Sequence, residues 1–249
     1  MSTEAVSIGD EGRRILQAKD LSKRYGSGRL ALDALNVVAH AGEIFCLLGA
    51  PGSGKSTAVR LLLGLSKPSA GRVEVVGVRM DRDPDRARAL MAYVPRHAAF
   101  YPQLTARENL RLLAVLPSPR PQREKQVLRE VGLPENSFDA RVAALPAGER
   151  QKLALAVALL REVPVWVLDE PLAGLDAQAS ADLVELIDRA RGQGKAILWA
   201  TQDLLRAKQM ADQVAILKEG RQVFDSSREE LGGPDLEQVY LDYMRGGAH

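Results

Sequence analysis

With 249 residues, 46% of them hydrophobic and 27% charged, the chain has the composition of an ordinary soluble globular protein, sized for one large α/β domain or two small lobes on a shared core. Its formal net charge is +2, from acids and bases interleaved along the chain, which gives no electrostatic case for a nucleic-acid partner. One cysteine, Cys46, excludes an internal disulfide framework, and no run approaches the roughly 18 consecutive apolar residues of a membrane span.

The first fourteen residues are polar, without the apolar stretch of a signal peptide, and read as a flexible leader. From residue 15 onward, short β-like runs alternate with helical stretches, the pattern of a sheet covered by helices. Strands are predicted at 15–21, 43–49, 71–76, 91–94, 163–168, 196–200, 214–218 and 221–225, the last two joined by a turn at Glu219-Gly220. Cys46 falls inside the apolar run Ile44–Leu48 and is expected to be a buried thiol. Helices are predicted at 55–64, 106–115, 123–131, 148–161, 177–191 and 204–210. Thr105-Ala-Arg-Glu108 reads as a capping box, and Asp176 and Asp203 read as N-caps. An Arg- and Pro-rich segment from about residue 81 to residue 138, with a short Pro-rich stretch at 117–121, is mostly helical and lies between apolar strand clusters, so it reads as a helical insertion forming a second lobe. Within it, residues 120–125 are basic and read as a solvated loop, with lipid headgroups the alternative contact.

Gly49-Ala50-Pro51-Gly52-Ser53-Gly54-Lys55-Ser56-Thr57 is a P-loop placed between an apolar strand and a helix, the context in which that pattern binds phosphate. Glycines at 52 and 54 let the backbone curl and aim its N–H groups at phosphate oxygens, and the following helix adds its positive end. Lys55 is expected to reach the β- and γ-phosphates, Ser56 to bind Mg²⁺ and Thr57 to donate on the α-phosphate side. Val165-Trp-Val-Leu-Asp169-Glu170 is an apolar strand ending in two carboxylates. Asp169 is expected to hold the metal shell, and Glu170 to act as general base on the attacking water.

These residues resemble the nucleotide-binding domain of ABC transporters over nearly the whole chain after residue 14. The resemblance implies an α/β P-loop NTPase fold with a RecA-like core, an antiparallel β subdomain and an α-helical lobe. It assigns the lobe to about 81–162, the core and β subdomain to 15–80 and 163–225, and C-terminal helices to 226–249. It further implies that Tyr25 stacks on adenine, that Ala173–Asp176 forms a loop crossing a dimer interface, and that ATP and Mg²⁺ bind between one subunit's P-loop and the other's signature segment. The implied partners are a second ATPase subunit and transmembrane permease subunits, with the chain cytoplasmic and peripheral at the inner face of the membrane. Tyr93-Val-Pro, Tyr101–Leu110 and the tail Leu236–Leu241 resemble ATPases of ABC-2-type exporters, whose groove near 100–110 would receive a permease helix.

Three elements depart from the family pattern. Arg96 follows Val94-Pro95 where glutamine is usual; a guanidinium is a donor only and cannot ligate a metal, though it can reach a γ-phosphate. Gln202 stands in Ala200-Thr-Gln-Asp203 where histidine is usual, and its amide can donate but cannot relay a proton. The signature segment reads Leu145-Pro-Ala-Gly148-Glu149, without its serine, leaving Gly148 and the helix start to hold the partner's phosphate. Binding is therefore expected to survive better than turnover. A nucleotide-gated regulatory module is the alternative, and a soluble ABC protein of translation or DNA repair is a third class that needs paired domains or long coiled coils absent from this sequence.

Overall fold

The computed structural model describes residues 14–26, 28, 30–115, 120–230 and 236–245. The predicted leader, most of the Pro-rich 117–121 stretch and residues 246–249 therefore lie outside the described residues.

In chain order the strands are β1 (Arg14–Arg24), β2 (Leu30–His40), β3 (Ile44–Leu48), β4 (Ala70–Val75), β5 (Val78–Arg79), β6 (Met91–Val94), β7 (Val165–Asp169), β8 (Ala196–Thr201), β9 (Gln213–Lys218) and β10 (Arg221–Ser227). The helices are α1 (Lys55–Leu62), α2 (Pro84–Ala89), α3 (Ala106–Ala114), α4 (Pro121–Glu130), α5 (Ala147–Arg161), α6 (Ala177–Gly192), α7 (Leu204–Met210) and α8 (Leu236–Arg245). The strands form one sheet in the order β5-β4-β1-β2-β10-β9-β3-β8-β7-β6. From β9 to β6 every pairing is parallel, whereas β1, β2, β4 and β5 pair antiparallel. The two halves meet where β10 runs beside β2 at Arg221 and Asp33.

The parallel half follows from its sequence. Strands covered by helices on both faces read as unbroken apolar runs, and β3 and β8 are buried at every position. Period-2 alternation then splits each strand between two cores. Trp166 and Leu168 of β7 join the core beneath α3–α6, while Val165 and Val167 join the core shared with α1 and the antiparallel strands. Cys46 is buried in a third, smaller cluster with Leu48, α7 and Leu236, and burial pushes its thiol far above the ordinary range.

Capping holds as read: Thr105 and Glu108 complete a reciprocal box, and Asp176 and Asp203 accept from backbone N–H groups three residues on. Within the 81–162 span assigned to the lobe, however, β6 runs as the last strand of the main sheet and α2 packs against β5 and β6. The packed helical unit is α3, α4 and α5. At the other end, β10 extends into the segment assigned to C-terminal helices, and α8 is the helix described there. Arg120 and Arg123 of the basic stretch pair with Glu162, and Arg123 also pairs with Glu130, so α4 starts within the segment read as a loop.

Candidate nucleotide site

Four parallel strands end on one edge of the sheet, and their following loops enclose a single cavity of about 890 Å³. In open α/β sheets ligands bind at the carboxyl ends of the strands. The loop after β3 contributes Pro51, Gly52, Gly54, Lys55, Ser56 and Thr57; the end of β7 contributes Asp169 and Glu170; the loop after β6 contributes Arg96, and that after β8 contributes Gln202. Tyr25, just after β1, and Leu30 and Ala31, at the start of β2, close the far side. Register explains the convergence. Val94 pairs with Leu168 and Asp169 pairs with Ala200, so Asp169 is the last paired residue of β7 while Arg96 and Gln202 fall just past the paired ends of β6 and β8.

The P-loop backbone is shaped by glycine where no other residue fits. Gly54 is the N-cap of α1 at φ 112° and ψ −5°, a region L-residues rarely adopt, and a Cβ there would lie 3.0 Å from the Ala31 carbonyl. Gly52 has φ 80° with open space where a Cβ would point, so the loop is open towards the cavity. Gly49, Ala50 and Ser53 do not line the cavity wall; they form the loop's floor. A Cβ at Gly49 would meet Ser53 Oγ at 2.5 Å and the Leu217 carbonyl at 2.6 Å. Ser53 Oγ is buried without a hydrogen-bond partner among the described residues.

Lys55 Nζ donates to the carbonyls of Gly49 (2.6 Å) and Ala50 (3.1 Å) and lies 3.9 Å from Glu170 Oε1. Burial pulls its ammonium below the ordinary lysine range, opposed by Glu170 and Asp169. Burial holds the Asp169 carboxyl above its ordinary range, opposed by Lys55, Arg96 and Arg60. Glu170 has φ 48°, a strained position for a residue with a Cβ, and is held by its N–H donating to Ala200 O at 2.8 Å. Thr201 Oγ1 donates to Glu170 Oε2 at 3.2 Å and accepts from Asp203 N at 3.0 Å.

The donor set fits Mg·ATP. Ser56 and Asp169 line the same cavity, and among the described residues no cluster of three His, Cys, Asp or Glu side chains could hold a metal alone. A hard dication on one hydroxyl and one carboxylate needs further oxygens, which a phosphate chain carries. Gly148 is elsewhere, on the first turn of α5 against Ala179, and contributes nothing to this cavity.

Several wall residues escaped the sequence reading. Arg60 lies one turn after Ser56 on α1, a spacing that could have flagged it. Glu219 and Gly220 were read only as a turn. Gln151 of α5 is buried and donates to Pro95 O at 3.1 Å, tying the signature helix to the loop that carries Arg96.

The ABC transporter family profile matches residues 32–173, more than half of the chain, spanning the P-loop and both strand-end carboxylates. The chain belongs to the ABC transporter family. It is an ATP-binding subunit with ATPase chemistry. Among relatives, Nod factor export ATP-binding protein I of Ralstonia nicotianae is 33% identical over 235 residues, covering 92% of this chain and 73% of its own length. Phosphonates import ATP-binding protein PhnC of Hyphomonas neptunium is 32% identical over 260 residues and covers 99% of each. The solved ATP-binding subunit of an ABC transporter superposes at a TM-score of 0.83 with 31% identity, over 92% of this chain and 99% of its own. A dimeric ATP-binding cassette in a post-hydrolysis state with ADP and Pi gives 0.79 at 25% identity, over 86% and 99%. No described helix is long and apolar enough to cross a membrane.

Proposed function

We propose that this chain is the motor half of an exporter: it binds Mg·ATP, closes head to tail on a second ATPase subunit, and hydrolyses slowly. The observation that carries the reading is the single cavity holding Lys55, Ser56, Asp169, Glu170, Arg96, Gln202 and Tyr25 together. Lys55 would release the loop carbonyls to meet the β- and γ-phosphates, Ser53 and the glycine backbone would cradle them, Ser56 and Asp169 would hold Mg²⁺, and Tyr25 would stack on the base. Bound there, Mg²⁺ supplies neutralisation of phosphate charge. Glu170, oriented by Thr201, would take the proton from water. Gln202 offers an amide donor where a proton-handling imidazole is usual, which supports turnover about 10²-fold below that of an enzyme with every group in place.

Gly148 would act on the neighbouring subunit's nucleotide. Pro146, the N-cap of α5, has no side-chain bond to the helix, so the first-turn N–H groups are available to a phosphate from outside. Membrane attachment would come through permease subunits. Tyr101, Leu112 and Val115 expose apolar surface around α3, and buried Asn109 fixes the Tyr101 backbone through both its N–H and its carbonyl. Export is supported by the Nod factor relatives, against which the phosphonate import relative stands.

Glu170→Gln tests the reading: with ATP it should bind nucleotide, lose hydrolysis and shift to a dimer by light scattering. Retained hydrolysis would contradict the role of Glu170. A second reading, a nucleotide-gated regulatory subunit, is favoured by Gln202, Pro146 and Ala147, and predicts ATP-dependent dimerisation without measurable turnover in the unmodified chain.

A further inference from the structure

The nucleotide cavity carries its own charge balance. Lys55, Arg60 and Arg96 face Asp169, Glu170 and Glu219 across one space, three cations to three carboxylates. Lys55 is already engaged by Gly49 O and Ala50 O and lies near Glu170. Arg96 differs: it is exposed to the cavity, and no hydrogen bond or ion pair engages its guanidinium among the described residues.

Its placement is fixed by the sheet. Val94 and Leu168 are partners in register, so Arg96 lies two residues and Asp169 one residue beyond the same pair. The intervening Pro95 is pinned by Gln151 Nε2. Arg96 and Asp169 therefore leave neighbouring strand ends to line the same cavity, and Asp169 is the carboxylate that, with Ser56, would hold a divalent ion. A dication approaching Asp169 meets a fixed positive charge, while a polyphosphate in the same cavity gains one.

We propose that Arg96 supplies in cis part of the positive charge that a divalent ion otherwise brings to the phosphates, so that nucleotide binding by this chain depends only weakly on Mg²⁺. The inference rests on the cavity being the ATP site. Because a guanidinium is a permanent cation and cannot ligate metal, it substitutes for the ion's charge without substituting for its coordination. Removing one unit charge at this range in a partly solvated cavity corresponds to roughly tenfold in an ion-binding equilibrium.

The test is calorimetric affinity for the non-hydrolysable β,γ-imido analogue of ATP, in Mg²⁺ and in EDTA, for the unmodified chain, Arg96→Met, which removes the charge without adding an oxygen ligand for the ion, and Arg96→Lys. We expect Mg²⁺ to improve affinity about threefold or less in the unmodified chain, roughly tenfold more than that in Arg96→Met, and as little as in the unmodified chain in Arg96→Lys. Equal Mg²⁺ dependence in all three proteins overturns the proposal, as does a lysine variant that follows the methionine one. If none binds the analogue in either buffer, the nucleotide-site reading falls and takes this inference with it; analogue binding with unaltered Mg²⁺ dependence removes the inference alone.

Discussion

Gly54→Ala strains the P-loop in two ways that Gly52→Ala does not share. At φ 112° the backbone of residue 54 lies beyond the compact left-handed basin, where an alanine costs about 1–3 kcal/mol. The new Cβ would also stand 3.0 Å from the Ala31 carbonyl of β2 and 3.2 Å from the Gly220 Cα in the β9–β10 turn, backbone atoms that cannot turn aside as a side chain can. Crowding of that kind adds about 1 kcal/mol. Gly52, at φ 80° with nothing within 4 Å of its Cβ direction, carries only the strain of a left-handed alanine, about 1 kcal/mol. For a chain of this size, 1 kcal/mol moves Tm by about 2–4 °C. Thermal unfolding without nucleotide should therefore place Gly54→Ala roughly 4–16 °C below the unmodified chain and Gly52→Ala roughly 2–4 °C below it. ATP affinity should fall in both, since both alter the loop that aims N–H groups into the cavity. Equal Tm values for the two variants, or a Gly54→Ala protein as stable as its parent, would refute the argument from backbone geometry.

Asp169→Asn should stabilise the nucleotide-free protein while losing Mg²⁺-stimulated hydrolysis. Burial raises the Asp169 carboxyl in the folded state, so that group favours folding most below its unfolded value of 3.8 and loses the increment as pH rises through the folded-state value. At neutral pH the ionised form is a net cost. The variant should then melt above its parent at pH 7, the gap narrowing on acidification; a lower Tm at pH 7 would contradict it. In the helical lobe, Glu124 is fully buried with one oxygen 2.6 Å from Arg111 Nε and the other without a partner among the described residues, while Arg111 is 43% exposed. Glu124→Met, which removes the desolvated carboxylate and leaves Arg111 to solvent, should be neutral or stabilising by about 1 kcal/mol in denaturant unfolding. A loss above roughly 2 kcal/mol would show that the pair holds α3 to α4.

Phosphate chemistry made the site's centre legible. Curling backbone around an anion needs glycine, so residues 49–57 stand out by their own pattern, whereas Asp169 and Glu170, two carboxylates ending an apolar strand, take on a reading only beside that loop. Strand β2 does not stand out, because Leu30–His40 contains Asp33, Ala34 and Asn36, poor strand formers, and Ala34 at φ 49° breaks the alternation. β5 has two residues and α2 six, too short for either period to show. The start of the packed helical unit is obscured for a related reason. The Arg- and Pro-rich composition from residue 81 belongs to the exposed face of α2, after which Met91–Val94 returns to the sheet. Ala31, Glu219 and Gly220 reach the cavity through packing of separate elements, and Thr201 reaches Glu170 only because β7 and β8 lie in register; no local pattern encodes these contacts, whereas Arg60 follows Ser56 by one helical turn.

The most direct test is steady-state ATP hydrolysis and ATP affinity, measured side by side on the unmodified chain and on Gln202→His. Tight binding with slow turnover, raised at least roughly tenfold by histidine (about 1.4 kcal/mol of barrier), is the result expected of a cassette whose switch position restrains hydrolysis. Brisk turnover in the unmodified chain with no gain from histidine would contradict it, leaving Gln202 a tolerated variation in an ordinary transport ATPase.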